Sequence, residues 1–154
     1  MLIMQKMRLM RLKMPANKKP RKPKKYVPRT LPLTIRHNAE SETALQLAPH
    51  AELLKLREGC GDEGSWNTIV ARLNIGLVAA NADNKPDIAK EIRIGLDAMI
   101  KVQTRCDRTG KWGLSGSDLR QVGDGLVLTD NLQLSLTRKQ FAQAIDYVWQ
   151  HAAK

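Results

Sequence analysis

Aromatic residues are scarce in this chain of 154: three Trp, two Tyr and one Phe. A core with so few rings has to be filled by aliphatic side chains, and few positions are left for stacking on nucleobases. Cysteine is scarcer still. Cys60 and Cys106 are too few for a disulfide framework, and neither sits in a CxxC or Cys/His pattern with metal-ligand spacing. His37, His50 and His151 are scattered, with no HExxH and no pair at i, i+4, so neither a metal nor another cofactor is expected. There is no GxSxG, and no carboxylate pair has a spacing that demands acid-base work. The expectation is a protein that is not an enzyme.

Long apolar runs are also missing. Nothing approaches the roughly 20 residues of a membrane span. The opening MLIMQKMRLMRLKM is broken by Lys6, Arg8, Arg11 and Lys13, which interrupt the apolar core a signal peptide requires. A reduced, cytoplasmic chain with no membrane partner is expected. Five of the six methionines fall in this segment, and it runs into Pro15 without a helix cap. An amphipathic basic segment at a membrane surface is one reading; translation beginning at Met14 is the one favoured.

The last absence is of negative charge. Residues 1–36 hold twelve Lys and Arg and no Asp or Glu, whereas residues 37–154 hold 14 basic and 15 acidic residues. The whole net charge of +11 therefore belongs to the N-terminal arm. Such a block points to an anionic partner. Pro15, Pro20, Pro23, Pro28 and Pro32 prevent a persistent helix, so residues 1–36 read as a disordered Lys/Arg/Pro-rich arm. Its candidate nucleic-acid contacts are Lys18, Lys19, Arg21, Lys22, Lys24, Lys25, Arg29 and Arg36. Tyr26 joins them, as a ring that either stacks on a base or packs against the domain.

From residue 37 the pattern is helical. Ala44, Leu45, Leu47, Ala48, Leu53, Leu54 and Leu56 predict a first helix over about 41–58, divided or kinked at Pro49. Gly59, Gly61 and Gly64 stop it. The stretch WNTIVARLNIGLVAA, 66–80, has Arg72 as its only charge and is apolar nearly all round, as befits the inside of a bundle. Asn84 is expected to cap the next helix, with Pro86 and Asp87 in its first turn. That helix spans about 86–107, with Ile88, Ile92, Leu96, Met99 and Ile100 facing the core. Gly110 closes it, and Ser115 or Ser117 caps a fourth helix carrying Leu119, Val122, Leu126 and Val127. Gly123 and Gly125 fit best where another backbone comes close. The stretch 126–136, with Leu132, Leu134 and Leu136 alternating, reads as an extended connector or short strand. Thr137 and Gln140 form a capping box for a last helix, whose Phe141, Ala144, Ile145, Val148, Trp149 and Ala152 repeat at helical spacing. The fold class expected is all-α, a bundle of about five helices over 37–154. Its core is expected to include Trp66, Leu73, Leu77, Leu96, Ile145 and Val148.

Three motifs invite functional readings. The loop after Gly110 is glycine-rich, but Lys111 is followed by Trp112 and a helix precedes it, so it does not match a P-loop. Arg105, Arg108, Lys111 and Trp112 make a small basic-aromatic cluster; the favoured reading has Trp112 covering the bundle core. The last two helices are spaced for a helix-turn-helix, yet the second carries mainly apolar residues where a groove-reading helix needs polar ones.

With KKYVPR at 24–29, SWNTIVARLNIGLV at 65–78 and RTGKWGLSG at 108–116, the chain resembles short, basic-tailed helical proteins encoded by proteobacterial phages, prophages and plasmids, over about residues 18–152. Some of these carry automatic labels as Fis-like transcriptional regulators. The resemblance implies a bacterial cytoplasm and carries no site residue over to this chain. Two expectations of function follow. One is a mobile-element accessory protein whose helical domain binds a macromolecule while the arm contacts nucleic acid without reading sequence. The alternative is a protein-binding modulator or inhibitor of a host enzyme or defence complex, with the arm on an acidic protein surface.

Overall fold

A computed structural model describes residues 39–152, with side chains described from Gln46 onward. The arm, with every one of its candidate contacts and the methionine cluster, lies outside the described residues. Within them the chain is all-α, with five helices and no strand: α1 (Ala39–Glu58), α2 (Glu63–Ala82), α3 (Pro86–Thr109), α4 (Gly116–Ser135) and α5 (Arg138–Ala152).

α2 is the central element, in contact with all four others. Its composition explains why: Ile69, Leu73, Ala79 and Ala80 are buried, and Trp66, Val70, Ile75, Leu77 and Val78 pack against the core from partly buried positions. Asp62 caps it by accepting from the Ser65 N–H at 2.9 Å, while the Ser65 hydroxyl accepts in return from the Asp62 N–H. α1 runs through Pro49 as one helix, so the proline does not divide it.

Asn84 does not cap α3. It takes a left-handed backbone (φ 55°) in the α2–α3 turn, and Lys85 occupies the cap position without a side-chain hydrogen bond. Pro86 sits in the first turn of α3 as expected. Gly110 ends this helix at φ 72°, where a Cβ would be strained, and donates to the Cys106 carbonyl.

The stretch 126–135 is helix, not connector or strand. The buried face of α4 is Asp118, Val122, Gly125, Leu126, Thr129, Leu132 and Gln133. Its spacing is helical, but three of its members are polar and one is glycine, so beyond Val127 the alternation of Leu132, Leu134 and Leu136 was the plainest apolar pattern. Gly125 lies where α2 and α3 come close: a Cβ there would meet Leu73 at 3.0 Å and the Gly95 Cα at 3.8 Å. Gly123 has no such neighbour.

Of the six expected core residues, Leu73 is fully buried, and Trp66, Leu77, Leu96 and Ile145 pack against the core from its margin. Val148 is half-buried and outside the main cluster. Ile100 and Trp149 are exposed, at 57% and 68%. The inner face of α3 is instead Ala89, Ile92, Gly95, Ala98, Met99 and Val102, of which Ala89, Gly95 and Ala98 are small enough to admit close approach. α5 buries only Phe141 and Ala144, which leaves its last turns outside the core.

Candidate functional site

The chemistry on the described residues concentrates around Arg72, the one basic residue of the central helix. Packing of α2 against its neighbours takes Arg72 to 7% exposure, and a buried guanidinium needs partners. It donates through Nη2 to Asp130 Oδ1 at 2.9 Å and to Gln133 Oε1, both on α4, and lies 5.3 Å from the centre of the Phe141 ring on α5. The second carboxylate oxygen of Asp130 meets His50 Nε2 of α1 at 2.8 Å. One cluster thus ties together α1, α2, α4 and α5. Both Asp130 oxygens are engaged, so the carboxylate holds the guanidinium and imidazole rather than standing ready as a base. Arg72 Nε and Gln133 Nε2 are buried donors that meet no acceptor, so the cluster is incompletely satisfied. A lone arginine in an otherwise apolar helix was the signal that could have found it: such a charge requires an acid elsewhere in the chain.

The loop between α3 and α4 is held by a second pair. Arg105 donates to the Asp118 carboxylate and to the Gly113 carbonyl at 3.3 Å. Burial works to raise the Asp118 pKa, but the hydrogen bond from the Ser115 hydroxyl and the charge and hydrogen bond of Arg105 outweigh it, leaving the carboxyl below its ordinary range. Ser115 is the cap of α4, accepting from the Asp118 N–H at 3.2 Å. Trp112 packs against the core with its ring 6.2 Å from that of Trp66, whose Nε1 donates to the Met99 carbonyl at 2.8 Å. Trp112 therefore covers the core. Arg108 and Lys111 are exposed, but Arg105 is committed to the loop, so the structure does not assemble the four residues into an open stacking surface.

A third polar group joins α1 to α2. Ser65, itself buried, donates to Glu52 at 2.6 Å, and Lys55 donates to the same carboxylate at 2.7 Å. These hydrogen bonds, Lys55 first and Ser65 second, hold the Glu52 pKa below the ordinary carboxylate value. The Ser65 hydroxyl is hydrogen-bonded to the carboxylates of Glu52 and Asp62, an arrangement that fixes a helix junction. Between α2 and α5 lies an open cleft of about 340 Å³, lined by Val78, Ala79, Leu136, Gln140, Ala144 and Tyr147 among others.

Among the described residues no group of three or more His, Cys, Asp and Glu side chains is placed to hold a metal ion, and no helix is long and apolar enough to cross a membrane. No protein-family model, no curated protein and no solved structure matches the chain.

Proposed function

We propose that this is a non-enzymatic accessory protein of a bacterial mobile element, acting in the cytoplasm. In it a helical bundle carries a basic arm that binds nucleic acid without reading sequence. The observation behind the reading is the separation of charge along the chain: twelve basic and no acidic residues in 1–36, against a bundle close to neutral. Phosphate contacts supply affinity in proportion to the cations that reach them and carry no sequence information by themselves. The polar groups of the bundle support this division of labour, because Arg72, Asp130, Arg105, Asp118 and Glu52 are each used in joining helices or holding a loop. The test is a binding titration on duplex DNA and single-stranded RNA at several salt concentrations, with the full chain and with residues 1–36 removed. Binding that survives the truncation, or is absent from both proteins, overturns the proposal.

A further inference from the structure

Which form of nucleic acid the arm prefers depends on whether anything besides charge is available to hold it. Duplex DNA carries one negative charge per roughly 1.7 Å of axis, and each cation that docks on it contributes about 0.9 to the slope of log K against log salt. On a single strand the contribution is about 0.7. Charge alone therefore favours the duplex. A single strand regains the advantage by stacking its bases on successive aromatic rings set in a basic groove, at about five- to hundredfold in affinity per base. The placement of the rings and of the cations around them selects between the two.

Five of the six rings of this chain lie among the described residues. Phe141 is buried, and Trp66 and Trp112 pack on the core, the Trp66 Nε1 being committed to the Met99 carbonyl. Tyr147 has one face covered by His151, whose ring stacks on it with centroids 4.0 Å apart and planes at 21°. Across the cleft from Tyr147 is Asp83, paired with Lys85 at 2.9 Å. Trp149 is open, at 68%, but it does not stand among cations. Asp146 precedes it by about one turn, whereas Arg138 and Lys139 sit at the start of α5, ten or more residues back and about 15 Å along the helix; Lys154 lies outside the described residues. The accessible rings of the bundle therefore stand beside carboxylates, while the excess positive charge belongs to residues 1–36, whose one ring is Tyr26. No run of rings shares a stretch with the cations, so charge sets the preference. We infer that the arm selects double-stranded over single-stranded nucleic acid, an inference that rests on the reading of the arm given above. With about five to eight cations engaged, and affinities that converge near 1 M salt when charge alone acts, the difference in slope makes the duplex complex about six- to twentyfold tighter at about 0.15 M salt.

The experiment is fluorescence anisotropy of the full chain with a labelled DNA duplex of about 30 base pairs and, separately, with one of its own strands, chosen free of self-pairing, at several salt concentrations. The duplex should bind about six- to twentyfold more tightly at about 0.15 M salt, with the steeper slope, and the two affinities should draw together as salt rises. Trp149→Ala, at an exposed position outside the core, should leave both affinities within about twofold of the parent. A single strand bound as tightly as the duplex, or more tightly, overturns the inference while leaving the arm a nucleic-acid binder. So does a single-strand affinity that falls more than about fivefold in Trp149→Ala, the loss expected of a stacked base. A duplex preference that emerges only in Tyr26→Ala overturns it as well, by showing that one ring governs the choice. Binding to neither form removes the reading of the arm itself, and this inference with it.

Discussion

Arg72 on α2 and Asp130 on α4 meet at 2.9 Å, 58 residues apart in sequence, and carry the only direct ion pair between those two helices among the described residues. The pair is nearly buried on both sides, with 7% and 14% of the side chains exposed. Removing one partner leaves the other as an uncompensated interior charge. Asp130→Ala should therefore cost about 3–5 kcal/mol of folding free energy. Replacing both residues by apolar ones of similar size, as in the double variant Arg72→Met, Asp130→Leu, should cost far less than the single change. Urea denaturation of the three proteins measures the difference, and equal losses in single and double variants would show that the pair is not the source.

The core glycines separate in a way that spacing along the chain does not disclose. A Cβ on Gly76 would run into the Oγ1, Cγ2 and Cβ of Thr129, which is fully buried and donates to the Gly125 carbonyl at 2.9 Å. Gly76→Ala should destabilise by about 1–3 kcal/mol through overpacking, even after the gain in helix propensity. Gly123 is also inside a helix, but the only neighbour a Cβ would find is Leu53 at 4.0 Å. Gly123→Ala should stabilise by up to about 1 kcal/mol. Opposite signs in thermal or urea unfolding are the expected result.

Much of this bundle was legible because helical periodicity of aliphatic residues is a strong signal. Leu73 sits at zero exposure, and Leu73→Ala should cost about 2–5 kcal/mol. What was hidden lies where the core face is not aliphatic. α4 presents Asp118, Thr129 and Gln133 inward, so its true period was masked and its second half read as extended. α3 presents Ala89, Gly95 and Ala98, so the larger Ile100 was placed inside when the close approach of α4 had already taken that side. The arm shows the reverse relation. Its charge block was plain in the sequence, and its residues lie beyond those described. The Arg72 cluster was hidden for a third reason: the lone arginine called for an acid without saying which, because His50, Arg72 and Asp130 are separated by 22 to 80 residues, and only the packing of the helices brings them together.

Asp118 gives the fold an acid-sensitive contact. Its pKa is lower in the folded chain, because the Ser115 hydroxyl and Arg105 together outweigh the opposing effect of burial, than the value near 4 of an unfolded aspartate. The unfolded chain then takes up the proton first as pH falls. Stability from this site is fully present above about pH 4 and is lost as pH drops through the folded-state value. Asp118→Asn should be less stable than the parent at neutral pH, and the two should converge as the pH falls below the folded-state value of Asp118. Urea midpoints of both proteins between about pH 2 and 7 read this directly; a constant difference across that range would show that ionisation of Asp118 contributes nothing.

The strongest quantitative consequence of the charge distribution concerns salt. Eight of the arm's cations, from Lys18 to Arg36, stand in a stretch with no acidic residue, so none is neutralised by a neighbour in sequence. If about five to eight of them each displace a counterion from duplex DNA, log K should fall against log salt with a slope of about −4 to −7. Affinity at physiological salt should then lie near the micromolar range and be alike for unrelated sequences. Deleting residues 1–36 removes all twelve cations of the arm but stops short of Ala39, where α1 begins. The truncated protein should keep its helical CD spectrum and lose binding altogether. Removing four of the eight cations between Lys18 and Arg36, by Lys18, Lys19, Arg21 and Lys22→Gln, should leave a measurable complex with a slope shallower by about 3–4. That intermediate value discriminates best. A protein that used the arm for one acidic surface would show no graded slope on DNA, and a slope unchanged by four lost charges would place the contacts elsewhere.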